Sequence, residues 1–482
     1  MHNNRIISGF FWKLLERFSV SGIHLLLQII LARLLNPEHY GTLSIMLIFI
    51  ALANELIQKG FSAALIQNKD VTEDDYSSVL WVSLGMALLL YLAVFACAPV
   101  IARYYRIPDL ITPLRVLALM IFPGALNSIQ LAKVSREMDF RKVFYSNIGG
   151  AVVSGTVGIL IAYLGGGLWA LVTQTLLNIV VACAVMYFTA HMRIRFVCNL
   201  KRIKILFAFG WKLLVSSLFE SLYGNLSGLI IGKKYNSETL GYYDRGEQFP
   251  QFIINAVNSA VQSIMLPAMS AEQDDRKRVK TIMRSSLLMS SYLIVPMMAG
   301  LAAVAEPLVR LLLTDKWLPC VPYMQIFCLS MSIYPVHSCN LQAINAVGRS
   351  DIFLKQEIIK IVCGLITLAI AVFCFESPLA IAAVGIVDTC FSWLINAFPN
   401  KKLIDYSIWQ QIFDLLPTCL MSGGMFLIVY QVGRLVNLGH FGILVVQILT
   451  GVAAYVLMSV VFRPEPYCMV LEQVKKYLDS RT

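Results

Sequence analysis

The sequence carries few charges for its length. Of 482 residues only 14% are charged, while 58% are hydrophobic. That leaves too little polar material for water to solvate the surface of so large a chain, so lipid must solvate most of it. There is no C-x-x-C. The 11 cysteines, among them Cys97, Cys183, Cys328, Cys363, Cys374, Cys390 and Cys419, are scattered through apolar runs. This excludes a zinc framework and a disulfide scaffold and leaves small hydrophobes. Cys320, at the edge of an apolar run, is the thiol to check for reactivity. No small-residue cleavage site follows a short apolar core; the first apolar run continues to about Leu31, as a retained spanning helix would.

Catalytic signatures are equally scarce. Gly165 to Gly167 is a tight turn between two helices with no strand before it, so it is not a phosphate-binding loop. The acidic pairs Asp74–Asp75 and Asp274–Asp275 stand beside Glu73 or Arg276 without the context of a metal site and read as surface charge. The longest external loop, Val304 to Pro319, reads as an amphipathic interfacial piece and is too short for a catalytic domain. The expectation is a transporter with no catalytic residue, no metal and no cofactor. The net charge of +11 sits in short basic tracts between apolar runs, a pattern that membrane topology explains and nucleic-acid binding does not require.

What is present in quantity is apolar sequence in spanning lengths. About 20 predominantly apolar residues cross a bilayer, and that criterion predicts an all-α polytopic membrane protein of about fourteen transmembrane helices. The first runs from Ile6 to Ala32, the second from Tyr40 to Ile66, the eighth from Tyr243 to Met269, the tenth from Val321 to Ala343 and the last from Leu438 to Phe462. Alternate loops collect most of the Lys and Arg, so the positive-inside rule predicts that both termini are cytoplasmic.

An internal repeat organises these helices. Trp12-Lys13-Leu14-Leu15 recurs as Trp211-Lys212-Leu213-Leu214, and the loop from Asn36 to Gly41 is echoed from Asn236 to Gly241. Pro99, Pro113 and Pro123 find counterparts in Pro307, Pro322 and Pro335. The predicted division is a six-helix lobe over residues 1–200, a second over 201–402, and two additional helices with a cytoplasmic tail over 403–482. Parallel repeats of this kind are a transporter architecture, with the substrate path between the halves.

Both repeats open on a helix with one polar face. At 100° per residue, Lys13, Arg17, Ser21, His24 and Gln28 fall within an arc of about 80°, and the same register places Lys212, Ser216, Glu220, Tyr223 and Ser227 together. The second helix adds Ser44, Glu55, Gln58, Lys59 and Ser62. The eighth adds Asp244, Glu247, Gln251, Asn255, Asn258 and Gln262. Ionisable groups at membrane depth normally face a protein interior or a water-filled cavity. Two readings stay open: buried hydrogen bonds that glue helices together, and a cavity wall. Lys13 also stands where it can snorkel to the interface. Glu220 and Asp388 each fit either a static ion pair or a group that titrates during transport.

A cationic face flanked by amides suits an anion with hydroxyls beside it. The candidate substrate-cavity residues are Lys13, Arg17, His24, Gln28, Glu55, Lys59, Lys212, Tyr223, Gln251 and Asn255, and the candidate coupling carboxylates are Glu55, Glu220, Glu247 and Asp388. The substrate class is a phospholipid-like anchor bearing a glycan. The alternatives are a cation-coupled multidrug exporter, which would favour a more acidic or aromatic cavity, and a membrane glycan polymerase or ligase, which would need a larger external loop.

Certain segments carry a family likeness. WKLLERF in the first helix, the turn LLNPEHYGTLS, GFSAALIQ from Gly60 to Gln67 and REMDFRK from Arg136 to Lys142 resemble the polysaccharide transporter branch of the MOP flippase superfamily. Within it, they are nearest the Wzx-type lipid-linked oligosaccharide flippases and the colanic-acid and teichuronic-acid exporters. The resemblance covers nearly the whole chain. It implies a MATE-like fold in the bacterial inner membrane and a cargo of undecaprenyl-pyrophosphate-linked oligosaccharide, moved from the cytoplasmic to the periplasmic leaflet by alternating access. It also implies coupling to an ion gradient, work as a monomer, and polysaccharide polymerase machinery as a neighbour.

Overall fold

The computed structural model describes residues 20, 22–67, 72–137, 139–190, 195–197, 199–436 and 438–479. These are helical almost throughout, with no strand among the described residues. The chain forms two compact units, Met1–Gly241 and Tyr242–Thr482.

The first unit contains α1 (Gly22–Leu34), α2 (Pro37–Gln67), α3 (Glu73–Tyr105), α4 (Ile111–Leu117), α5 (Ile121–Glu137), α6 (Phe140–Tyr163), α7 (Leu168–Ala190), α8 (Leu200–Lys234) and the first residues of α9 (Ser237–Ala271). The second holds the rest of α9, then α10 (Arg276–Ala303), α11 (Ala305–Leu312), α12 (Val321–Ser332), α13 (Tyr334–Ala346), α14 (Ser350–Cys374), α15 (Pro378–Ile404), α16 (Ile408–Leu435), α17 (His440–Phe462) and α18 (Glu465–Asp479).

Eleven helical segments among the described residues are long and apolar enough to cross a membrane. The remaining three predicted spans fall outside that set. The first is described as a helix only from Gly22. The eighth lies in α9, where the side chains of several residues after Asn255 lie outside the described residues. The tenth is broken at Ile333 into α12 and α13, each too short to span alone.

That break has a counterpart in the first unit. There, 3-10 turns at Pro108–Leu110 and Ala118–Met120 precede and divide α4 and α5. In the second unit a 3-10 turn at Asp315–Cys320 precedes α12, and Ile333 divides it from α13. Each new helix takes a proline in its first turn, Pro123 and Pro335, where the missing N–H costs nothing because it would have no intrahelical partner. The paired prolines thus mark paired breaks.

Local sequence explains the helix starts. Thr72 and Asp75 form a capping box on α3: Asp75 N donates to Thr72 Oγ1 at 3.3 Å, and Thr72 N donates to Asp75 Oδ2 at 2.9 Å. Asp75 is therefore buried, contrary to its reading as surface charge, while Asp74 pairs with Arg195 at 3.1 Å. Asp275 caps α10 by accepting from Lys277 N and Arg278 N. Asn236 does the same for α9, its Oδ1 accepting from Thr239 N at 2.7 Å.

Within the apolar layer, small residues and single polar groups hold helices together. Ser146, Gly150, Ser154 and Gly158 line one face of α6 toward α7, where Ser146 Oγ donates to Ala182 O at 2.6 Å and Asn178 Nδ2 donates to Ser154 Oγ at 3.3 Å. At the end of α2, Arg136 of the REMDFRK segment donates to Leu65 O at 2.8 Å, satisfying a terminal carbonyl with a cation. Cys320 is completely enclosed, and burial pushes its thiol up to about 12, so it is an inert packing residue.

Candidate functional site

The predicted polar faces lie on α1, α2 and α8 of the first unit and on α9 and α15 of the second. Lys13 and Arg17 lie outside the described residues, as do the side chains of Lys59 and Lys212, whose backbones are helical within α2 and α8. His24 and Gln28 are half-buried on α1.

On α2, Glu55 is half-buried with one carboxylate oxygen fully enclosed. Its neighbours Asn54 and Gln58 lie against Gly124 of α5, within 3.0 and 3.5 Å of the place a Cβ there would occupy. Asn54 Oδ1 is enclosed and receives no hydrogen bond from the described residues.

α8 packs along α2. On it, Ser216 and Glu220 are exposed while Tyr223 and Ser227 are half-buried. The stripe therefore runs from an open end to a packed end, and Glu220 stands at the open part.

In the second unit, Glu247 and Gln251 are half-buried and Asn255 is exposed, with Gln251 Nε2 donating to Asn255 Oδ1 at 2.9 Å one helical turn away. Asn258, the next amide along, accepts from Ser338 Oγ at 3.1 Å and so ties α9 to α13. Asp388 accepts from Thr367 Oγ1 at 2.9 Å, linking α15 to α14.

Sequence reasoning missed a buried amide network in this unit. Asn340, Asn400 and Gln411 are all wholly enclosed, on α13, α15 and α16. Asn340 Nδ2 donates to Gln411 Oε1 at 2.9 Å, and Gln411 Nε2 returns a bond to Asn340 Oδ1 at 3.0 Å. Asn400 Nδ2 donates to Asn340 Oδ1 at 2.8 Å, and Trp393 Nε1 donates to Gln411 Oε1 at 2.9 Å. Beside it, Asn396 Nδ2 lies 3.1 Å from His337 Nδ1. The available signal was two or three amides in each of three helices far apart in the sequence, with no period that links one helix to another.

Among the described residues no group of three or more His, Cys, Asp or Glu could hold a metal ion. The chemistry on offer is reversible polar contact: amides and hydroxyls on α2, α8 and α9, with carboxylates at Glu55, Glu220 and Glu247 on the same helices.

Two bundles of membrane-length helices with broken spans at matching positions and polar faces within the apolar layer define a polytopic transporter. Comparison with known proteins makes the family specific. Residues 30–322 match the family described as polysaccharide biosynthesis protein, and the chain belongs to that family. It is 25% identical to the succinoglycan biosynthesis transport protein ExoT of Rhizobium meliloti (strain 1021), over 73% of this chain and 71% of that protein. It is 22% identical to the teichuronic acid biosynthesis protein TuaB of Bacillus subtilis (strain 168), over 97% of this chain and 98% of that protein. Its fold is shared with lipid II flippase MurJ in an inward closed conformation, at a TM-score of 0.75 and 14% identity, covering 95% of this chain and 98% of that one.

Proposed function

We propose that this chain translocates a lipid-linked oligosaccharide, the repeat unit of a surface polysaccharide carried on undecaprenyl pyrophosphate, from the cytoplasmic to the periplasmic leaflet. Membership of the polysaccharide biosynthesis family carries this reading. Relatives named for succinoglycan transport and teichuronic acid biosynthesis support it.

The residues fit the task in a specific way. A pyrophosphate needs cations at partly dehydrated positions, for which the candidates are Lys13, Arg17 and Lys212 on the first helices of the repeats and Lys59 on the second helix. Sugar hydroxyls need amides and hydroxyls, for which the candidates are Gln28 and Tyr223 in the first unit and Gln251 and Asn255 in the second, and His24 adds an imidazole to the first stripe. Alternating access exposes these faces to one leaflet and then the other. Glu55, Glu220 and Glu247 are the carboxylates to couple that cycle to an ion gradient, while Asp388, already bonded to Thr367, is a weaker candidate. The protein sits in the inner membrane with both termini cytoplasmic, acts as a monomer, and hands its cargo to polymerase machinery on the far side.

In cells lacking this gene, the lipid-linked repeat unit should accumulate where a glycosidase added outside spheroplasts cannot reach it, and expression of the chain should restore cleavage. Full external cleavage without the chain would contradict the reading.

A further inference from the structure

A second pattern of helical period follows the last spanning helix. Tyr467, Val470, Leu471, Val474, Tyr477 and Leu478 fall within an arc of about 120° at 100° per residue, while Glu465, Glu472 and Lys476 fall on the opposite side. The backbone of α18 is helical throughout this stretch. Beyond Glu472 the stripe is read from the spacing, since those side chains lie outside the described residues.

Where α18 begins decides what that stripe can reach. α17 is a helix of membrane length, and its last two residues, Val461 and Phe462, are 66% and 69% exposed, as a lipid-facing surface is. Only Arg463 and Pro464 follow before α18, so Glu465 stands at most about 11 Å from Phe462. Arg463 is left-handed, with φ 43°, and turns the chain; its N–H bonds Ser459 O at 3.0 Å and closes α17, while Tyr467 N already donates to Pro464 O at 2.9 Å.

The turn is held firmly. Pro464 and Pro466 are buried, and Arg284 of α10 binds Glu465 at 2.6 Å. α18 is therefore fixed at the edge of the apolar layer and cannot stretch away from it. Glu465 lies across the helix from the stripe, so this ion pair leaves the stripe uncovered, and Leu471 on it is 49% exposed.

Length and charge decide what covers it. A helix of 15 residues offers about two heptads, fewer than the three or four over which a coiled coil sustains itself, which disfavours a second copy. Arg463 stands exposed at the turn, and from Gln473 onward Lys475, Lys476 and Arg481 outnumber Asp479. An apolar stripe with cations beside it is the composition of a helix that lies in a membrane surface and is drawn to anionic lipid.

We propose that α18 lies in the membrane surface beside the end of α17, with its apolar stripe among the head-group ends of the acyl chains and its cations on anionic phospholipid head groups. This surface is separate from the cargo path, so its failure would leave the transport reading untouched.

The test uses the full-length chain in lipid nanodiscs. A solvatochromic fluorescent amino acid is encoded at position 471 or, in a second protein, at position 472, and its quenching by phospholipids brominated near the head group is compared. Emission from position 471 should be blue-shifted and quenched about threefold more than emission from position 472. In discs containing phosphatidylglycerol, hydrogen exchange over Glu465–Asp479 should be about tenfold slower than in phosphatidylcholine alone, and the double variant Lys475→Gln, Lys476→Gln should lose most of that difference. Leu471→Asp should speed exchange in both lipids. Equal quenching at the two positions, or exchange indifferent to lipid charge, would overturn the proposal. A blue shift at position 471 that escapes lipid quenching and appears only with two chains per disc would place a second copy on the stripe and overturn it as well.

Discussion

Gly41 and Gly241 pack backbone against backbone. A Cβ on Gly41 would overlap the Ser237 carbonyl oxygen and stand 2.9 Å from Gly241 N, and one on Gly241 would overlap the Pro37 carbonyl oxygen and stand 3.3 Å from Gly41 N. The two residues end the matched hexapeptides Asn36–Gly41 and Asn236–Gly241, so the repeat brings its own equivalent glycines together where α2 and α9 begin.

Substitution there should be among the most damaging in the chain. The obstacle is main chain, which has no rotamer into which to retreat, so Gly41→Ala should cost at least the upper part of the roughly 1–3 kcal/mol typical of overpacking. Thermal unfolding in detergent should show a clear fall in Tm, with Gly41→Val worse than Gly41→Ala. A wild-type Tm for Gly41→Val would mean that the close approach does not exist in solution.

The C-terminal helix is held by one arginine. Arg284 of α10 binds Asp414 of α16 through two nitrogens, at 2.8 Å each, and Glu465 at the start of α18 at 2.5 and 2.6 Å. Tyr406 donates to Asp414 at 2.6 Å, and burial followed by this bond holds its phenol well above the ordinary range, so it remains a donor. The arginine is one-third exposed, which moderates the gain. Arg284→Ala should destabilise by about 1–2 kcal/mol and raise hydrogen exchange over Glu465–Asp479, with Arg284→Lys recovering part of the protection. Unchanged exchange in α18 would show that the clasp is absent in solution.

The amide network predicts strong non-additivity. Asn340→Leu or Gln411→Leu alone strands a buried partner and should cost about 1–3 kcal/mol. The double substitution should cost less than the sum of the two, because no amide of that pair is then left unmet. Simple additivity in a double-mutant cycle would show that the pair is not coupled.

Much of this was legible before any coordinates. Spanning runs are fixed by bilayer thickness, so eleven helical segments among the described residues appear where apolar length alone put them; the proline pairs were legible as a repeat, and that they mark a divided span needed the structure. What escaped was set by contact and not by period. Asn340, Asn400 and Gln411 stand among other amides on three separate helices, and only the packing of α13, α15 and α16 shows that these three meet. Asp75 looked like a solvated charge because its value as a cap depends on Thr72 starting a helix there. The stripe that pointed to an anion begins at Lys13 and Arg17, so its chemistry is tested by substitution.

Arg17→Ala and Lys59→Ala should each reduce glycan export while protein abundance stays constant, and Arg17→Lys should retain part of the activity, since a lysine keeps the charge and loses the bidentate fork. Export at the wild-type level by the double alanine variant would remove the basis for a cationic binding face.

The most direct measurement is flipping itself. The purified chain is reconstituted into vesicles loaded with an undecaprenyl-pyrophosphate-linked oligosaccharide, and external enzyme access to the glycan is followed over time, with and without a proton or sodium gradient. Accelerated loss of protection that requires the chain, slows with Glu220→Gln and collapses with the gradient is the predicted result. Protection that decays at the same rate in empty and protein-containing vesicles, for glycans of the organism's own surface polysaccharide, would contradict the account.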